Sequence, residues 1–194
     1  MTLTKPVKLI YGGVNMADVL IIIDVQVGVC RGSQPVTNLA TVIAGIQQRI
    51  TSYRAQNKPI VFVQHHDADL VTGSADWQMI PELPIEATDI VVQKTHANAF
   101  YHTDLQAQLT VIGCQTLEIC GAQVEFCVDT TVKMAHGLGY HLEMVRGLTT
   151  TTANSMMSAQ QTIDFYQDRI WNHRFLTLVT ASGRIDDLLE KTGD

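Results

Sequence analysis

Three ionisable residues of different chemistry stand where apolar runs end. Asp24 closes Val19-Leu-Ile-Ile-Ile23, Lys94 follows Ile90-Val-Val-Gln93, and Cys127 lies six residues past Leu117-Glu-Ile-Cys-Gly121. A carboxylate, a cation and a thiol in such places suggest a nucleophilic site. A free thiol has a pKa of about 8.5 and is mostly protonated at neutral pH, so its use as a nucleophile requires a base and a cation close by. Val128 to Leu138 reads as a helix that begins just after Cys127. Its first-turn N–H groups and dipole are expected to favour thiolate. Most free cysteines are small buried hydrophobes, and Cys30, Cys114 and Cys120 receive that reading.

The elements that must position these side chains alternate along the chain. Apolar runs rich in Val, Ile and Leu occupy 19–23, 60–64, 89–93, 117–121, 141–145 and 175–179. Between Asn38 and Gln56, Leu39, Val42, Ile43, Ile46, Ile50 and Tyr53 recur at three and four residues, the stripe of an amphipathic helix. Asn57-Lys-Pro59 stops it. Thr103-Asp-Leu-Gln106 has the form of a capping box opening a short helix that ends near Gly113, and Gly139 is placed to cap the helix after Cys127. Further helices are expected over 155–170 and 185–191.

Strands without polar alternation, separated by helices, indicate a parallel sheet covered on both faces. The expected fold is a three-layer α/β/α sandwich, Rossmann-like, around a mostly parallel sheet of about six strands. Ligands of such sheets bind beyond the carboxyl ends of the strands where strand order reverses, a point usually flanked by the first and fourth strands. Asp24 and Cys127 should therefore face one crevice. Lys94 reaches it only if the third strand lies on the same side, which the pattern leaves open. The long irregular stretch from His65 to Thr88 suits the wall of a site or an interface.

The chain has 194 residues, 46% hydrophobic and 16% charged, with a net charge of −6. One globular domain is expected over 1–194. The acidic balance argues against nucleic-acid or anionic-membrane partners. No apolar run approaches the roughly 20 residues needed to span a bilayer. Four cysteines without a C-x-x-C pair suit a reducing cytoplasm. Met1 to Tyr11 lacks a long apolar segment, against a secretion signal. Met16-Ala-Asp18 precedes the first strand closely enough to be a start, making 1–15 an extension. Gly12-Gly13 precedes the first strand, whereas a dinucleotide-binding loop must follow it.

Taken together, these segments resemble the isochorismatase-like cysteine hydrolases, relatives of nicotinamidases and N-carbamoylsarcosine amidases. The resemblance runs from Asp18 to about Thr152. Ile21-Ile-Ile-Asp24-Val-Gln26 is similar to the first-strand motif, and Val91-Val-Gln-Lys94-Thr-His-Ala-Asn-Ala-Phe100 to the lysine motif, with Thr103-Asp-Leu105 as its continuation. Gly121 to Thr131, with Ala135 and Gly139-Tyr140, matches the cysteine motif. The resemblance implies a catalytic triad. Asp24 would take the thiol proton and later activate water, and Lys94 would hold Asp24 ionised and favour the thiolate. Cys127 would attack a carbonyl to form a thioester. It also implies a cis peptide at Ala122–Gln123 and an oxyanion hole built from the N–H groups of Gln123 and Cys127. Gln26, His65 and Phe100 are expected to contact the substrate. A small-molecule substrate and a homo-oligomer, dimer or tetramer, are the expected partners.

Two departures separate this chain from relatives. Many carry threonines where Gln123 and Val124 stand. Nicotinamidases bind a metal through an Asp-x-His pair and another histidine after the second strand, whereas this chain reads Gln64-His-His-Asp-Ala-Asp69. Neither metal nor cofactor is therefore expected. Trp77 and Tyr101 suit a cavity wall, an oligomer contact or plain surface packing, and His136 and His141 read as structural. Three functions remain open: cleavage of a C–N bond in a small amide or carbamoyl-type substrate, an isochorismatase-type vinyl-ether hydrolysis, or a non-enzymatic role for a redox-responsive thiol. Presence of the whole triad favours the first.

Overall fold

The computed structural model describes residues 16–180 and the backbone of 183–184. The expected terminal helix over 185–191, the proposed extension 1–15 and Gly12-Gly13 lie outside the described residues. Strands β1 (Val19–Ile23), β2 (Ile60–His65), β3 (Ile90–Lys94), β4 (Thr116–Ala122), β5 (His141–Val145) and β7 (Thr177–Thr180) correspond to the six apolar runs. Short β6 (Thr149–Thr150) and β8 (Gly183–Arg184) add to them. The order is β3-β2-β1-β4-β5-β7-β8, with β6 paired to β4, and every pairing is parallel except β7 with β8. Order reverses between β1 and β4, so the crevice opens there.

Successive residues of β1 feed opposite layers. Val19, Ile21 and Ile23 pack with Leu105, Leu109, Val128, Val132 and Trp171. Leu20 and Ile22 pack with Val42, Ile46, Ile50 and Tyr53. The second group belongs to α2 (Leu39–Ala55); α1 (Val27–Arg31) joins the same layer through Cys30. The first layer is built by α3 (Leu105–Ile112), α4 (Asp129–Gly137) and α5 (Ala159–Asp164). This is the expected three-layer sandwich. Among the described residues, no helix is long and apolar enough to cross a membrane.

Local chemistry differs from expectation in three places. The capping box forms at Ser158 and Gln161, where α5 starts, and not at Thr103. The Thr103 hydroxyl instead donates to the carbonyl of Ala99 at 2.6 Å, bracing the turn ahead of α3. The helix expected over 155–170 is α5 followed by a π-helical segment, Phe165–Trp171. The helix after β4 begins earlier than expected, with a π-helical turn at Val124–Val128 that runs into α4. Gly121, at φ 120°, lets β4 crowd β1 there: a Cβ would lie 2.1 Å from the carbonyl oxygen of Ile23.

One buried ion pair ties the sheet to α2. Arg49 donates Nε and Nη2 to the two carboxylate oxygens of Glu118 at 2.6 and 2.5 Å, and the Tyr53 hydroxyl adds a third bond at 3.0 Å. Glu118 is fully buried in β4, so its removal leaves the half-buried guanidinium of Arg49 and the Tyr53 hydroxyl without their partner. Glu118→Ala is expected to cost about 3 kcal/mol. It should lower the denaturant midpoint without changing the slope of the transition; a midpoint shift near zero would make the pair dispensable.

Candidate active site

Asp24 leaves the last residue of β1 in a left-handed conformation, φ 48°, with its N–H bonded to the carbonyl of Val63 at 3.0 Å. Aspartate tolerates this region better than most residues, at modest cost. The turn sets its carboxylate in the buried floor of the crevice. Lys94 ends β3, two strand spacings away, yet its buried side chain brings Nζ to 2.6 Å from Asp24 Oδ2. The same ammonium donates to Cys127 Sγ at 3.3 Å. The third strand thus lies on the side that lets all three groups meet.

Asp24, Cys127, Gln123 and His65 line a cleft of about 520 Å³, with Gly28, Val29, Gly32, Ser33, Gln34, Ala97, Phe126 and Thr152 around them. The peptide between Ala122 and Gln123 is cis. Of the side chains expected to meet substrate, His65 alone is on the cleft wall. Gln26 is fully buried with its amide committed elsewhere. Its Nε2 donates to the carbonyls of His65 and Trp77, each at 2.8 Å, and its Oε1 accepts the His65 N–H at 2.8 Å. It positions the long loop instead of facing the cleft. Phe100 packs in the core and stacks on Tyr140 at 6.2 Å between centroids. Trp77 is held at its carbonyl by Gln26 and Gln64, while Tyr101 packs edge-on against His96 and His102.

The electrostatics revise the expectation for the thiol. Burial, and then the Asp24 carboxylate, push the Cys127 thiol up to about 12, with Lys94 pulling the other way. The helix dipole acts mainly over the first turn. Cys127 lies in the first turn of a helical stretch that starts at Val124, so the dipole does favour thiolate, but burial and the Asp24 charge outweigh it. Burial also raises the Asp24 carboxyl above its ordinary value, opposed by Lys94 and by the thiol. Among the described residues, no further donor completes a hydrogen bond to either Asp24 oxygen. The site therefore sets a thiol held above its ordinary pKa against the Asp24 carboxyl, with the Lys94 ammonium within reach of both. That arrangement can transfer a proton as the sulfur attacks, without storing a thiolate.

Ser33, Gln34, Phe126 and Thr152 carry no sequence signal of a pocket. They reach the cleft through the turn after α1, the π-helical turn and the segment after β6. Both ring nitrogens of His65 already have partners, Lys94 Nζ at 3.2 Å and Asp67 Oδ2 at 2.9 Å, which leaves neither for a metal ion. Among the described residues, no group of three or more His, Cys, Asp and Glu side chains converges as a metal site.

Comparison with known proteins agrees with this fold. The model of the isochorismatase domain matches residues 18–167. A crystal structure of an isochorismatase family protein superposes with TM-score 0.81 at 45% identity, covering 84% of this chain and 97% of that one. The isochorismatase family protein YwoC of Bacillus subtilis is 29% identical, over 80% of this chain and 88% of its own length. Ureidoacrylate amidohydrolase RutB of Variovorax paradoxus is 31% identical over 41% of this chain and 32% of its own. The sheet order, the crevice and a domain match across most of the sequence lead to one assignment: the chain belongs to the isochorismatase family of hydrolases.

Proposed function

We propose that the protein is a cysteine hydrolase that cleaves the C–N bond of a small amide or carbamoyl-type substrate. The observation that carries this reading is the buried Lys94 Nζ, 2.6 Å from Asp24 and 3.3 Å from Cys127, two residues that line one cleft. Asp24 takes the thiol proton as Sγ bonds to the carbonyl carbon. The oxyanion that forms is met by the N–H groups of Gln123 and Cys127. Its collapse breaks the C–N bond, and the proton held by Asp24 goes to the leaving amine. A thioester remains. Water then attacks it, Asp24 accepts the water's proton, and the thiol recovers that proton as the carboxylic product leaves.

The walls favour an uncharged substrate of few atoms. Ser33, Gln34, Gln123 and Thr152 offer neutral donors and acceptors beside the apolar Val29 and Phe126, and the Lys94 charge is already paired with Asp24. Partial similarity to a ureidoacrylate amidohydrolase supports amide chemistry over vinyl-ether cleavage.

The test is a screen of small amides for ammonia release, with isochorismate in parallel and intact-mass detection of a Cys127 acyl adduct. Ammonia release with an adduct 
is expected. Turnover of isochorismate without an adduct would move the chain to the vinyl-ether reading, and reversible sulfenate alone to the redox one. Activity is expected to survive chelation, because a thiol nucleophile needs no metal-bound water. Stoichiometric metal whose removal stops turnover would overturn that expectation.

A further inference from the structure

The Lys94 ammonium has a third neighbour besides Asp24 and Cys127. Its Nζ lies 3.2 Å from Nδ1 of His65. An ammonium only donates, so Nδ1 must accept and the ring proton sits on Nε2. Nε2 in turn donates to Asp67 Oδ2 at 2.9 Å. The far end of this chain is also fixed. Asp67 Oδ1 accepts the N–H groups of Asp69 at 2.9 Å and Leu70 at 2.8 Å. The Leu70 N–H, then His65, then the Asp69 N–H hold its carboxyl below the usual range. Strand register supplies the rest: His65 is the partner of Lys94 across β2 and β3, and Gln26 pins the His65 backbone on both sides.

We infer that His65, locked as the Nε2–H tautomer by Asp67, is a positioning residue that holds the Lys94 ammonium between Asp24 and Cys127. A lysine is a point charge on a flexible four-carbon stem, and two acceptors leave its head free to pivot. A third acceptor directs all three of its protons. His65 thereby acts on the reaction through Lys94, in addition to forming part of the cleft wall. This role rests on the cysteine-hydrolase reading for its effect on turnover, but not for its effect on the thiol.

Two variants separate these roles. In His65→Leu the acceptor is gone; in His65→Asn, Oδ1 can take the place of Nδ1. With an amide identified as substrate, His65→Leu is expected to lose on the order of 10- to 100-fold in kcat while KM stays within about threefold. His65→Asn should recover most of that loss. Independently of any substrate, the pH profile of Cys127 alkylation by iodoacetamide, mapped by mass spectrometry, should move to higher pH in His65→Leu and return in His65→Asn. Asp67→Ala should move it in the same direction by less. If no amide is turned over but the alkylation profiles shift as stated, the function reading fails and the positioning role stands. An unchanged alkylation profile in His65→Leu, or in Asp67→Ala should His65→Leu not fold, would overturn the inference. So would a loss confined to KM, which is the signature of a substrate contact.

Discussion

Asp24→Asn is expected to abolish turnover, on the order of 10⁴-fold, while making Cys127 easier to alkylate at neutral pH. The two effects have opposite signs because Asp24 does two things. In the proposed mechanism it is the base for both proton transfers, and among the described residues lining the cleft no other carboxylate could replace it. It is also the negative charge that, after burial, does most to keep the thiol protonated. Asparagine removes that charge and leaves Lys94 3.3 Å from the sulfur, where thiolate becomes the available counter-ion. The pH midpoint of Cys127 alkylation should therefore fall below that of the wild type, in which burial and the Asp24 charge push the thiol up. Cys30 and Cys120 are buried in the core and should stay unlabelled; Cys114 is partly exposed, and its labelling should not respond to residue 24. A midpoint that stayed put or rose would show that Asp24 does not sit against the thiol in solution, and the proposed mechanism would lose its base.

Much of this was legible because a parallel sheet writes itself plainly. Runs such as Val19–Ile23 and Ile60–Val63 are buried on both faces and show no polar alternation, so six strands and their layers follow from pattern. β6 and β8 have two residues each, too short for any periodicity to register. Asp24 and Cys127 could be placed at one crevice by topology alone, and the side on which β3 lies then decided Lys94. Gln26 and Phe100 show the limit. A residue two beyond a strand-end aspartate can face either the cleft or the loop. Here the polar backbone of an irregular segment needed a partner, and the Gln26 amide was used up by His65 and Trp77. The thiol departs from expectation for a related reason. Position near a helix start can be read from sequence, but the depth of burial that outweighs the dipole cannot.

Lys94→Met should suppress turnover on the order of 10³-fold and shift both remaining groups upward. Methionine matches the stem in length and belongs in a fully buried position, so packing alone gives little reason to unfold. What changes is charge. Asp24, already raised by burial and held back chiefly by Lys94, loses that opposition and becomes protonated over more of the pH range, ceasing to be a base. Cys127 loses the same cation, so its alkylation should move to higher pH, opposite to Asp24→Asn. Stability gives a third readout. A carboxyl whose folded pKa exceeds its unfolded value of about 4 binds more protons when folded, so stability falls as pH rises through the window between the two. Lys94→Met widens that window. Its melting temperature should approach that of wild type at the acidic end and drop relative to it toward neutral pH, a divergence that Asp24→Asn, with no carboxyl at that position, should not share. A constant difference across the range would mean that Asp24 and Lys94 are not coupled, and the ammonium would then be a packing element instead of the charge that holds the site together.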